Sequence, residues 1–234
     1  MENISGKKVL ITGGSSGIGK ATAELLISKG AIVCITGRDK PKLESVASEL
    51  NAIPIHLDVS KYNQIAFKTL DAFHSMKGLD VLINNAGIGE FCKLEDIKLS
   101  QFENIFATNV FGLTMLTQEV VKFFKTQQHG TIINIGSSAS LSGFPSGSVY
   151  CASKFALRGL TECWRHELRR DNIRVTIVNP SEVTTAFNNK KRVERVEEQN
   201  KLTSKEIAFS IVSAIQMDKR GFIPELNVWA TNPF

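Results

Sequence analysis

One short stretch of the chain carries residues whose types and spacing suit proton transfer. It runs Ser137-Ser-Ala-Ser-Leu-Ser-Gly-Phe-Pro-Ser-Gly-Ser-Val-Tyr150-Cys-Ala-Ser-Lys154, leaving an apolar run and entering a helix continued by Phe155, Ala156, Leu157 and Leu160. Tyr150 and Lys154 are four residues apart, so their side chains share a helix face. A phenol with a pKa of about 10 exchanges protons poorly near pH 7, and bringing it into range takes roughly 4 kcal/mol of preference for the phenolate. An ammonium about 4 Å away supplies that order of energy at an effective dielectric near 20. By itself the pair decides nothing, because a lysine lying along an amphipathic helix gives the same spacing.

The elements that would position this stretch alternate between strands and helices. Lys8 to Thr12 is a short β-branched run that feeds Gly13-Gly14-Ser15-Ser16-Gly17-Ile18-Gly19, after which Ala21, Leu25 and Leu26 take up helical spacing. Glycines allow a tight turn and close approach to a phosphate, and the free amides and dipole of a helix N-terminus favour an anion there. A glycine cluster between a buried-type strand and a helix points to dinucleotide binding. Ala31 to Thr36 reads as the second strand, followed by Gly37-Arg38-Asp39. An acidic residue at this strand end accepts from a ribose hydroxyl, whereas an arginine grips a 2'-phosphate. Arg38 therefore favours NADP over NAD, with Ser15 or Ser16 as hydroxyl partners; the competing reading gives the ribose to Asp39.

Farther along, Lys42 to Leu50 reads as a helix, Ile53 to Leu57 as the third strand, ending in Asp58-Val59, and Ser60 as a helix N-cap. Leu79 to Ile83 is a fourth strand opening into Asn84-Asn85-Ala86-Gly87, and Phe102 to Phe124 one long apolar helix. Asn109 lies inside that helix among apolar residues, so it either ties two strands together or holds a functional water. Thr131 to Ile135, Ile173 to Val178 and Glu225 to Ala230 complete the strands, with helices over Tyr150 to Arg170 and Ser204 to Met217. The pattern predicts an α/β fold: one doubly wound, Rossmann-type parallel sheet of seven strands with helices on both faces, in a single domain spanning 1–234. In such sheets ligands bind beyond the carboxyl ends of the strands. Gly13, Arg38, Asp58, Asn84 to Gly87, Ser137 and Pro180 each follow a successive strand, so one edge would collect them all.

Composition narrows the class. At 234 residues, with 42% apolar and 22% charged residues, the chain suits one large α/β domain, and no apolar run is long enough for a bilayer. The first strand begins so early that no signal segment is expected, and a cytoplasmic location follows. Cys34, Cys92, Cys151 and Cys163 show no paired spacing, and His56, His74, His129 and His166 are equally dispersed, so neither a disulfide framework nor a metal is expected. The net charge of +5 comes without a nucleic-acid motif and fits an anionic small ligand.

Taken together these residues resemble the short-chain dehydrogenase/reductase family along essentially the whole chain. Thr12 to Gly19 is similar to its glycine motif, Asp58-Val59 to its adenine contact, and Asn84-Asn85-Ala86-Gly87 to its turn after the fourth strand. Asn109, Ser137, Tyr150 and Lys154 match its catalytic tetrad in order, with Ser138 in reserve for the serine. The resemblance implies that Tyr150 is the general acid or base and that Lys154 lowers its pKa and binds the nicotinamide ribose. It further implies that Ser137 holds the substrate oxygen and that Asn109 fixes a water passing protons to Lys154. Pro180, Val183 and Thr185 resemble the segment that holds the carboxamide, although Ser181 stands where glycine is common. The implied activity is NADP(H)-dependent hydride transfer between nicotinamide and a ketone, aldehyde or secondary alcohol. Alternatives are a silent nucleotide-binding regulator on the same scaffold, and specifically a 3-oxoacyl-carrier-protein reductase. Partners implied are a small carbonyl substrate and a second copy, as homodimer or homotetramer, with no nucleic acid and no membrane.

Substrate choice is expected from a short loop over about 182–203, from Gly89 to Leu94 and from Leu141 to Ser148. Phe91, Phe144 and Phe187 line an apolar pocket or belong to the core and its rim. Lys190, Lys191 and Arg192 either meet an acidic carrier or form a solvated face. Cys151 reads as packing. The aromatic residues of 227–234 either pack at an interface or cap the chain's own core.

Overall fold

The computed structural model describes residues 1–187, 189 and 193–233. Its sheet contains β1 (Lys8–Ile11), β2 (Ile32–Gly37), β3 (Ile53–His56), β4 (Val81–Asn84), β5 (Gly130–Ile135), β6 (Ile173–Pro180) and β7 (Glu225–Val228). The strand order is β3-β2-β1-β4-β5-β6-β7, with every neighbouring pair parallel. The chain starts in the middle at β1, winds outward to β3, then returns to lay β4 on the other side of β1. A crevice therefore opens between the carboxyl ends of β1 and β4.

Strand residues are apolar because both faces are covered. Val9 and Ile11 of β1 join Ala23 and Leu26 of α1 (Gly17–Ser28), Leu43 of α2 (Lys40–Leu50) and Ile211 of α7 (Ser204–Ile215). Leu10, pointing the other way, joins Met76 of α3 (Ile65–Met76) and Val120 and Phe124 of α5 (Leu113–Gln127). This alternation is the period of two along a strand, and burying each such side chain is worth about 1.5–3 kcal/mol. α6 (Ser148–Glu167) adds Leu157 against Ile177 of β6 and Leu113 of α5.

Several boundaries differ from the sequence reading for local reasons. The long helix expected over Phe102 to Phe124 is α4 (Leu99–Phe106) and α5, joined through a π-helical turn over Ala107–Gly112 that holds Asn109. A β-carbon at Gly112 would stand 2.1 Å from the carbonyl oxygen of Val59, so this turn touches the exit of β3 and admits only glycine there. Ser60 caps no helix. Its amide and hydroxyl both donate to Asp58 Oδ1 at 3.0 and 2.8 Å, and a 3-10 turn over Tyr62–Gln64 precedes α3. Pro180 lies at the last position of β6, opposite Val228, rather than after the strand. β7 stops at Val228, and Trp229, 59% exposed, does not cap the core. Arg170 falls in a 3-10 turn after α6, and Phe234 lies outside the described residues.

Candidate active site

β5 ends at Ile135, and Ser137 then caps a 3-10 turn over Ser138–Ser140 whose backbone leads toward α6. The Ser137 amide is fixed by Ser140 Oγ at 3.1 Å and Asn179 Oδ1 at 3.3 Å. Asn179, inside β6, was missed because a polar residue near a strand end carries no distinctive sequence signal. The close approach it needs explains Gly136, where a β-carbon would lie 2.1 Å from Asn179 Oδ1. Thus positioned, Ser137 and not Ser138 is the serine whose side chain acts on the Tyr150 phenol, drawing its pKa down.

Tyr150 and Lys154, one turn apart on α6, are both buried, at 7% and 6% exposure. The Lys154 ammonium lies 5.8 Å from the Tyr150 ring centroid and donates to the carbonyl of Ile135 at 2.8 Å. Burial pushes the phenol up to about 12, while the Ser137 hydrogen bond pulls it down and Cys151 raises it slightly further. Burial also pushes the lysine down to about 8. The expected lowering of Tyr150 by Lys154 is therefore not seen in the chain alone. The ammonium is spent on Ile135, and removal of both groups from water outweighs their attraction. The phenol is left protonated, the form that donates to a carbonyl oxygen.

Asn109 reaches toward the same place from the π turn. Its Oδ1 accepts from the Ile88 amide at 2.9 Å, and its Nδ2 donates to the Ile88 carbonyl at 2.9 Å and to Ser153 Oγ at 3.1 Å. Ser153 in turn donates to the Tyr150 carbonyl at 2.7 Å. Asn109 thus ties the exit of β4 to α6, not strand to strand. A π turn inside a helix is a frequent mark of a functional position. A β-carbon at Gly87 would lie 3.5 Å from Asn109 Oδ1 and 3.9 Å from Lys154 Nζ, so the turn after β4 passes beside both. Deeper, Asn84 Nδ2 donates to Thr117 Oγ1 and Asn134 Oδ1 at 2.9 Å each, and Asn134 Nδ2 to Thr161 Oγ1 at 2.8 Å. This buried network holds the carboxyl ends of β4 and β5 to α5 and α6.

The other side of the crevice is built by Thr12 and the glycine turn. Thr12 Oγ1 accepts from the amides of Asn85 and Ala86 at 3.0 Å each, and Asn85 Nδ2 donates to the carbonyls of Thr12 and Gly13 at 2.9 and 3.0 Å. Gly13 has φ +65, and a β-carbon at Gly19 would stand 2.4 Å from the Gly13 carbonyl oxygen, so the turn closes only with glycines. Ser16 precedes α1 without capping it by its side chain, and Ile18 follows Gly17 within the first turn. Ser15 stands beside Gly37, and Arg38 is exposed at the end of β2. Asp39 instead accepts from Lys42 N at 3.1 Å as the N-cap of α2. Beyond Pro180, the Ser181 amide donates to the Val228 carbonyl at 2.8 Å, so the unusual serine extends the β6–β7 ladder. Val183 bridges to Leu202, and Thr185 packs against Gly17. Lys190, Lys191 and Arg192 lie outside the described residues.

A family model described as short chain dehydrogenase matches residues 7–196. The chain belongs to the short-chain dehydrogenase family. It is 34% identical over 231 residues to the NADP-dependent 3-hydroxy acid dehydrogenase of Schizosaccharomyces pombe, covering 92% of this chain and 89% of that one. Among solved structures it is similar to a metagenomic short-chain oxidoreductase in complex with NADP, with a TM-score of 0.84, 30% identity and coverage of 98% and 99%. It is similar also to a short chain dehydrogenase/reductase from Burkholderia phymatum in complex with NAD, with a TM-score of 0.87, 25% identity and coverage of 99% and 91%.

A nicotinamide dinucleotide is the cofactor expected of a short-chain dehydrogenase, and the chain's own contacts test the fit. The Gly17 amide, first in α1, donates to an anionic partner, Glu194 Oε1 at 2.9 Å, whose other oxygen accepts from the Ala186 amide at 3.0 Å. A carboxylate on that amide shows that the helix start is open to an anion and suits a phosphate oxygen. Glu194 was missed, because a glutamate among the charges of 190–198 carries no signal of its long-range partner.

Proposed function

We propose that this short-chain dehydrogenase is an NADPH-dependent carbonyl reductase, with Tyr150 as the proton donor. The observation that carries the reading is the convergence of Ser137, Tyr150 and Lys154 beside Gly87 at the carboxyl edge of the sheet. Ser137 and Tyr150 would both donate to the carbonyl oxygen, and the protonated, buried phenol gives up its proton as negative charge grows there. Lys154 stabilises the phenolate that remains, and Asn109, through Ser153, holds that turn of α6 in register. The dinucleotide, when bound, supplies the hydride. Gly13, Gly17, Ile18 and Gly19 would receive its diphosphate, Asp58 and Val59 its adenine, and Asn85, Ala86 and Gly87 its central ribose. Pro180, Val183 and Thr185 would flank the nicotinamide.

The preference for NADPH is supported by the end of β2. Asp39 is engaged as a helix cap, whereas the exposed Arg38, with Ser15 beside Gly37, is left to meet a 2'-phosphate. The experiment is a comparison of the chain with Tyr150→Phe. The variant should bind NADPH with unchanged affinity and lose at least a hundredfold in carbonyl-dependent NADPH oxidation. Retained turnover would take Tyr150 out of the proton-donor role.

A further inference from the structure

The surroundings of Tyr150 have a chemistry of their own. Phe91, after β4, meets the Tyr150 ring edge to face at 5.6 Å and 86°, and Phe187, after β6, lies 5.6 Å from it, tilted by 55°. Phe144, from the connection between β5 and α6, packs edge to face on Phe91 at 5.6 Å. The three rings come from three separate connections, and each keeps about two fifths of its surface open, at 38%, 44% and 41% for Phe91, Phe144 and Phe187. The backbone is shaped to present them. The Cys92 amide donates to the Ser146 carbonyl at 3.0 Å, joining the loops of Phe91 and Phe144, and the Gly147 amide closes the turn onto the Phe144 carbonyl at 3.1 Å. Glycine lets the rings lie close on the chain. A β-carbon at Gly147 would stand 2.5 Å from the Phe144 ring, and one at Gly89 would stand 2.9 Å from Phe187.

We propose that Phe91, Phe144 and Phe187 form an aromatic box that makes aryl ketones the substrates of this site, in preference to polyhydroxylated or carboxylate-bearing carbonyl compounds. The inference rests on the reductase reading and adds the substrate class to it. Of the polar groups at the Tyr150 ring, Ser137 acts on the phenol and Lys154, 5.8 Å from the ring centroid, is held by Ile135. They serve one carbonyl oxygen. Further hydroxyls or a carboxylate laid on these three rings would be stripped of water against phenylalanine, which is costly, whereas an aryl ring joins the edge-to-face set already there.

The test uses acetophenone, L-xylulose and 3-oxobutanoate as probes, with two readouts. In NADPH oxidation, kcat/KM for acetophenone should exceed that for the other two by at least tenfold, and Phe91→Ala or Phe144→Ala should each lower it about tenfold without changing NADPH affinity. In saturation-transfer NMR with oxidised NADP, where no turnover is possible, acetophenone should give a signal that either variant weakens. Acetophenone bound through these rings but never reduced would keep the box and overturn the reductase reading. Turnover favouring L-xylulose or 3-oxobutanoate, no acetophenone signal, or a signal indifferent to both variants would overturn the box, whatever becomes of the reductase.

Discussion

Replacing Lys154 by methionine should stabilise the free protein near neutral pH while destroying its activity. The ammonium is buried and its pKa falls from the ordinary 10.5 to about 8, so holding the charge in the folded state costs about 3 kcal/mol. Methionine removes that cost but also the hydrogen bond to the Ile135 carbonyl, whose loss costs about 1–2 kcal/mol. The net gain at pH 7 is about 1–2 kcal/mol, a rise in Tm of about 3–6 °C for a chain of this size. The sign changes with pH. Between pH 8 and 10.5 the unfolded chain holds a proton on Lys154 that the folded chain has released, so the native protein gains stability as pH rises through this window. Above about 10.5 the lysine is neutral in both states, and the methionine variant should be the less stable by the lost hydrogen bond. Thermal unfolding of both proteins across pH 7–11, with NADPH oxidation measured at pH 7, reads all of this. A variant no more stable at pH 7, or a Tm gap that ignores pH, would refute the reasoning that burial strains Lys154 and that function retains it.

Two further outcomes follow from the cofactor crevice. Arg38→Ala should raise the Kd for NADPH about tenfold or more, the worth of a charge-assisted contact, and leave the Kd for NADH within about threefold, as measured by nucleotide fluorescence titration. Equal losses for both nucleotides would show that Arg38 does not meet the 2'-phosphate. Glu194→Ala removes a carboxylate that already holds the Gly17 amide, so NADPH should bind about two- to fivefold tighter, a small gain because the glutamate is exposed and screened. Unchanged or weaker binding would show that the two anions do not compete.

The sheet was legible from sequence because its strands are buried on both faces and read as apolar runs between glycine and asparagine turns. The strand ends then placed the site: Thr12 to Gly19, Asn84 to Gly87 and Ser137 to Lys154 meet where strand order reverses. Interactions perpendicular to the chain were not legible. Asn179 under Ser137, Ser153 between Asn109 and Tyr150, and Glu194 on Gly17 each depend on partners many residues away or on a side-chain direction that spacing alone does not give. The π turn at Asn109 escaped because its apolar pattern continues that of the helices on either side. The burial of the Tyr150 and Lys154 pair was not legible for a related reason. Spacing puts the two on one face but says neither how deeply both are buried nor that the ammonium turns to Ile135.

The central claim is hydride delivery to a carbonyl carbon with Tyr150 supplying the proton. Its most direct test is a single-turnover reaction of acetophenone with NADPH carrying deuterium on one face of C4, followed by mass analysis of the alcohol. The account predicts deuterium at the carbinol carbon from one face only, and no labelled alcohol with Tyr150→Phe. Label absent from the product, or transferred as well by the phenylalanine variant, would contradict it.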